Sequence, residues 1–73
     1  MKTPDVIYVF LPDEAVPVWR PVAAEHLQGD RYRILEQPYD TEDERWEFVP
    51  GEEVICEYIE GEKGPILAAR KRP

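Results

Sequence analysis

Two prolines four residues apart, Pro17 and Pro21, bracket a tryptophan within the stretch from Ala15 to Leu27. No other feature constrains the fold as strongly. Val16, Val18 and Val22 fall on one parity, with Arg20 among them; Pro17, Trp19 and Pro21 fall on the other. That is a period of two carried by β-branched residues, the pattern of a strand. A helix is disfavoured because Pro21 would sit in its interior and cost it a hydrogen bond. Residues of one parity turn their backbone groups toward the same neighbour, so both prolines remove donors from one side of the strand. Such a strand lies at an edge or leaves its sheet at a bend, and its prolines protect that edge from foreign pairing. The sequence predicts a long, bent strand from Ala15 to about Ala24. Residues 23–27 are open between more strand and a helical turn, since two alanines and a glutamate form helix well.

The rest of the chain reads as further short strands folded back over this one. Asp5 to Leu11 is an almost continuous apolar run, which suits a strand covered on both faces or nearly so. Pro12-Asp13-Glu14 is turn chemistry, and Gln28-Gly29-Asp30 is a second turn. Arg31 to Glu36 alternates and pairs with the preceding strand as a hairpin. Thr41-Glu42-Asp43-Glu44 has capping-box spacing, which supports at most one short helical turn near residues 41–45. Arg45 to Val49 resumes alternation, with Trp46 and Phe48 on one face. Pro50-Gly51 turns the chain, Glu52 to Glu60 is a clear strand, Gly61 to Gly64 is a tight hairpin, and Pro65 to Ala69 closes the series.

Five to six antiparallel strands in 73 residues make one domain, all-β, whose simplest architecture is a small SH3-like barrel spanning residues 1–73. Residues 1–4 and 70–73 read as frayed ends. A partly open OB-type barrel is the alternative, but it normally wants a longer chain.

The residue inventory narrows the chemistry. There is no serine, and one cysteine and one histidine, Cys56 and His26, are the sole obvious candidates for nucleophile and base. Cys56 lies on the parity of Val54 and Tyr58, where a buried, inert thiol is expected. His26 lies in a polar turn region, exposed or packed at the side. One Cys and one His cannot build a structural zinc site. The acidic segment Asp40 to Glu44 lacks the glycine and spacing of a calcium loop. No phosphate-binding glycine loop is present. The expectation is therefore a protein that is not an enzyme, with no cofactor and no metal.

At this level the residues resemble a group of short bacterial proteins with no assigned activity. The likeness is carried by Val18-Trp19-Arg20-Pro21-Val22, Tyr32-Arg33-Ile34, Trp46-Glu47-Phe48 with Gly51, and Val54-Ile55-Cys56-Glu57, and it runs from about Val6 to Ala69. It implies a bacterial origin and a shared small β fold, and it transfers no catalytic residues.

Binding is the function class left standing. The formal charge of −7 repels phosphate backbones, so nucleic acid is a disfavoured partner. The nucleic-acid alternative would use Arg31, Arg33, Arg70, Lys71 and Arg72, with Tyr32 as a stacking ring. A protein partner is the favoured reading, through Trp19, Arg20, Tyr39 and Trp46 beside the acids Asp13, Glu14, Asp43 and Glu44. Trp19 has two roles open to it, an apolar ledge for a partner or a plug for one end of the core. Arg20 and Arg33 either contact a partner or pair with Glu25 or Glu36 across strands. No apolar run approaches the roughly 20 residues that cross a bilayer. With no signal peptide and no disulfide, the expected setting is the cytoplasm, as a monomer or weak homodimer.

Overall fold

The alternating segments become five strands in a computed structural model, which describes residues 3–39, 42 and 44–70. They are β1 (Asp5–Phe10), β2 (Trp19–Gln28), β3 (Arg31–Ile34), β4 (Glu53–Gly61) and β5 (Gly64–Ala69). Each strand pairs with the next in the chain, and β5 returns to β1, so the sheet closes into a small SH3-like barrel. All sequential pairs are antiparallel, whereas the closing β1–β5 pair is parallel, with Tyr8 beside Ala68. The odd number of strands requires this: directions alternate along a meander, so its first and fifth members point the same way. Among the described residues there is no helix, and none is long and apolar enough to cross a membrane.

One parity of each strand fills the interior. Ile7 and Val9 of β1, Val22 and Ala24 of β2, Ile34 of β3, Val54 and Cys56 of β4 and Ala69 of β5 are buried in a single cluster with Leu11, Trp46 and Phe48. Glycines set the turns. Gly51 has φ of 95° and follows Pro50, the arrangement of a type II turn, and Glu52 N–H donates to Val49 O at 3.1 Å across it. Gly29, with φ of 57°, takes the first central position of the β2–β3 turn.

Several expectations are corrected. The long strand begins at Trp19, not Ala15, because β1 ends at Phe10 and offers no partner to residues 15–17. It then runs through to Gln28, since pairing with β3 overrides the helix preference of Ala23–Leu27, with a register shift between His26 and Gln28. Pro21 does sit on an open edge. The first half of β2 pairs only with β1, and β3 joins it from Ala24 onward. Arg45–Val49 is not a strand. Trp46 and Phe48 share a face as alternation predicts, and the structure buries both, but Trp46 N–H donates to the Tyr39 hydroxyl and Glu47 N–H meets β1 at the Phe10 carbonyl. The segment crosses the barrel end as a plug. Asp40, Thr41 and Asp43 lie outside the described residues, so the expected helical turn does too. Arg70 is tied down rather than frayed, its N–H donating to Ile55 O at 2.7 Å.

Candidate docking face and the knot beside it

The outer face of β1 and β2 follows from their register. Ile7 and Val9 point inward with no exposed surface, so Val6, Tyr8 and Phe10 point outward. Opposite them in β2 stand Ala23, Pro21 and Trp19. These six residues form a two-column apolar stripe. Its upper end is Phe10 against Trp19, ring centroids 5.3 Å apart and tilted by 56°. Its lower end is Val6, 57% exposed. The run from Asp5 to Leu11 is thus apolar on both parities but covered on one face only, which corrects the expectation of a strand covered on both. Trp19 is half-buried on the outer face, the ledge position; the core plug is Trp46 instead, 4% exposed, with Phe48.

Two shallow grooves flank Thr3-Pro4-Asp5 at the lower end of the stripe. One, about 290 Å³, continues the stripe between Pro4, Val6, Pro21 and Ala23. The other, about 220 Å³, is more polar and is lined by Asp5, Glu25, His26, Ala24 and Leu35. Asp5 lines both. It is half-buried, and its carboxylate has no hydrogen bond or ion pair among the described residues. It lies close enough to Tyr32 to help raise that phenol's pKa, after burial as the larger cause.

The other residues singled out from sequence form a separate knot. Glu44 Oε1 accepts the Trp46 indole N–H at 2.9 Å and stands 3.6 Å from Arg20 Nε. Tyr39 packs its ring on Trp46, centroids 4.2 Å apart, and its hydroxyl accepts the Trp46 backbone N–H at 3.0 Å. Arg20 and Trp46 therefore converge on Glu44, with Tyr39 packed on Trp46, and Trp19 stands apart beside Phe10. Arg20 occupies the register position opposite buried Val9 and leads its charge out to Glu44, not to Glu25 or Glu36. Arg33 lies between Glu25 at 3.6 Å and Glu53 at 3.2 Å, on the exposed surface. Asp13 faces Arg45 at 3.6 Å. The knot holds the irregular segment after β3 against the barrel mouth; of its two charged members, Arg20 is more exposed to solvent than Glu44.

His26 and Cys56 have separate surroundings. His26 Nε2 donates to Gly29 O at 2.8 Å, and its ring packs on Tyr32 at 4.9 Å, which clasps the β2–β3 turn. The Cys56 thiol is buried in the core, and burial, followed by nearby Asp30, pushes its pKa up to about 11. Among the described residues no group of three or more His, Cys, Asp or Glu side chains is placed to hold a metal ion.

Two contributors escaped the sequence reading. The apolar run from Asp5 predicts a covered Phe10, although its place on the outer parity beside a proline-bounded tryptophan is a usable signal. Gln37 had no signal at all. Its side-chain amide acts as a strand substitute at the open edge of β2, accepting from Ala23 N–H at 3.1 Å and donating to Ala23 O at 3.0 Å and Leu35 O at 2.8 Å.

Compared with family models, curated proteins and solved structures, the chain matches none.

Proposed function

We propose that the chain is a non-enzymatic binding module of the bacterial cytoplasm whose outer β1–β2 face docks a protein partner. The observation that carries this reading is the uncovered apolar stripe from Val6 to Trp19, on a chain otherwise rich in charge. Contiguous exposed apolar surface marks interaction sites. Of the groups a nucleic-acid reading would use, Arg33 is engaged with two carboxylates, Arg70 with Glu57 at 3.6 Å and Tyr32 with His26 and the core, while Lys71 and Arg72 lie outside the described residues. The buried free thiol suits a reducing compartment.

Photocrosslinking tests the reading. A benzophenone amino acid replaces Tyr8 on the face, and Tyr58, 74% exposed outside the stripe, in a control. The expected result is one defined adduct from position 8, absent from position 58 and lost when Trp19→Ala is added. No adduct from position 8, or one indifferent to Trp19→Ala in a folded chain, overturns the proposal.

A further inference from the structure

We propose that the occupant of this face is an extended segment of a partner protein, with apolar side chains laid along the stripe and a lysine or arginine seated at Asp5. The inference rests on the docking face proposed above and adds the chemistry of what docks there. Its basis is the order of features along β1. From Phe10 down to Val6 the outer parity is apolar, a span of four residues or about 13 Å at strand rise. The next residue, Asp5, falls on the inward parity of Ile7 and Val9, but it stands at the open end of β1, where its half-buried carboxylate lines both grooves and has no side-chain partner among the described residues. Glu25 on the wall of the polar groove is shared with Arg33 at 3.6 Å, so it adds negative potential there while Asp5 is the acceptor without a cation. An extended chain of about four residues covers the apolar positions, and a long cationic side chain at its end reaches over the end of β1, along the groove that Asp5 shares with Val6, Pro21 and Ala23, to that carboxylate. A hydrogen bond between ionised partners in a partly desolvated groove is stronger than a neutral one.

Charge also separates this occupant from a second copy of the chain. Each copy carries a formal charge of −7, so two copies repel over a Debye length of about 8 Å at physiological salt, whereas a cationic segment is drawn in. Pro21 on the open edge of β2 denies a newcomer one backbone donor, so recognition falls to side chains on the face rather than to strand addition at that edge.

The test is an NMR titration of the isotope-labelled full chain with two synthetic peptides. One alternates leucine and threonine and carries a single arginine at its end; in its twin the arginine is glutamate. The expected outcome with the arginine peptide is movement of the Val6, Tyr8 and Ala23 amides and the Trp19 indole N–H, with the Trp46 indole unmoved. The glutamate twin, and Asp5→Asn with the arginine peptide, should each bind about tenfold more weakly or worse. Binding should also weaken as salt is raised to about 0.5 M. Circular dichroism checks that Asp5→Asn is folded. Equal affinity for the two peptides, no effect of Asp5→Asn, shifts confined to another face, or no binding of either peptide overturns the cationic occupant. A concentration-dependent dimer in sedimentation that is abolished by Tyr8→Asp makes a second copy the occupant and overturns it as well. The photocrosslink at position 8 judges the face independently: an adduct with no arginine preference leaves the face and removes the cation.

Discussion

Replacing Trp46 with alanine removes the side chain that closes one end of the barrel. The indole is 4% exposed, stacks on Tyr39 at 4.2 Å and donates to Glu44 at 2.9 Å. Truncating a buried tryptophan costs about 3–5 kcal/mol. A core in a domain of this size supplies about 3–5 kcal/mol in all. The variant should therefore be mostly unfolded at room temperature, with collapsed amide dispersion and no cooperative urea transition. Trp19→Ala is the control within the same chain. Trp19 is half-buried and packs mainly on Phe10, so its loss should cost about 1 kcal/mol, the scale of one aromatic pair, and leave the fold intact. Trp46→Phe falls between them. It keeps most of the volume but leaves Glu44 without the indole donor, a loss of about 1–2 kcal/mol for a hydrogen bond to a charged group that is partly exposed. Urea denaturation followed by circular dichroism ranks the three. A cooperative Trp46→Ala transition with a midpoint near wild type, or a larger cost for Trp19→Ala than for Trp46→Ala, would refute the assignment of plug and ledge.

Two further outcomes follow from single contacts. Gln37→Leu strips the side-chain amide that stitches the open edge of β2, leaving Ala23 N–H without its acceptor; stability should fall by about 1–3 kcal/mol, and the Ala23 amide should exchange with solvent far faster than its neighbours. Cys56 makes stability depend on alkaline pH. Its folded pKa of about 11 exceeds the ordinary value near 9, so the unfolded chain releases this proton first as pH rises. The contribution is whole below pH 9 and is lost progressively as pH climbs from 9 to about 11. Cys56→Ala should flatten the stability–pH curve across that window; an unchanged slope would show that the thiol is not held neutral by the fold.

How far the sequence could be read depends on whether a property is local. The β2–β3 hairpin, the Gly61–Gly64 turn, the burial of Cys56 and the shared face of Trp46 and Phe48 all follow from spacing within a few residues. The alternating signal at Arg45–Val49 was real as burial and misleading as secondary structure. Burial needs only a side chain on the inside, whereas a strand also needs a continuous ladder, and the 45–49 segment meets β1 through Glu47 N–H on Phe10 O. The proposed pairing of Arg20 with Glu25 or Glu36 failed for a related reason. Which carboxylate an arginine meets depends on how the segment after β3 crosses the barrel mouth, and that path brings Glu44 instead. Of the four candidate partner contacts, Trp46 is buried and Tyr39 is packed on it, which leaves half-buried Trp19 on the outer face and exposed Arg20 beside it.

Taken alone, the amino-acid order determined that this chain is built of strands, where they turn, and that one strand would carry a proline-guarded edge, because backbone geometry and side-chain period are set by near neighbours. Only the tertiary structure decided which apolar parity of β1 turned inward, which tryptophan became the plug, and that Gln37 would complete a strand edge fourteen residues away. Where both parities of a strand are apolar, the pattern permits either face inside. The choice is made by what the other strands bring to fill the barrel, and the face left over became the outer stripe.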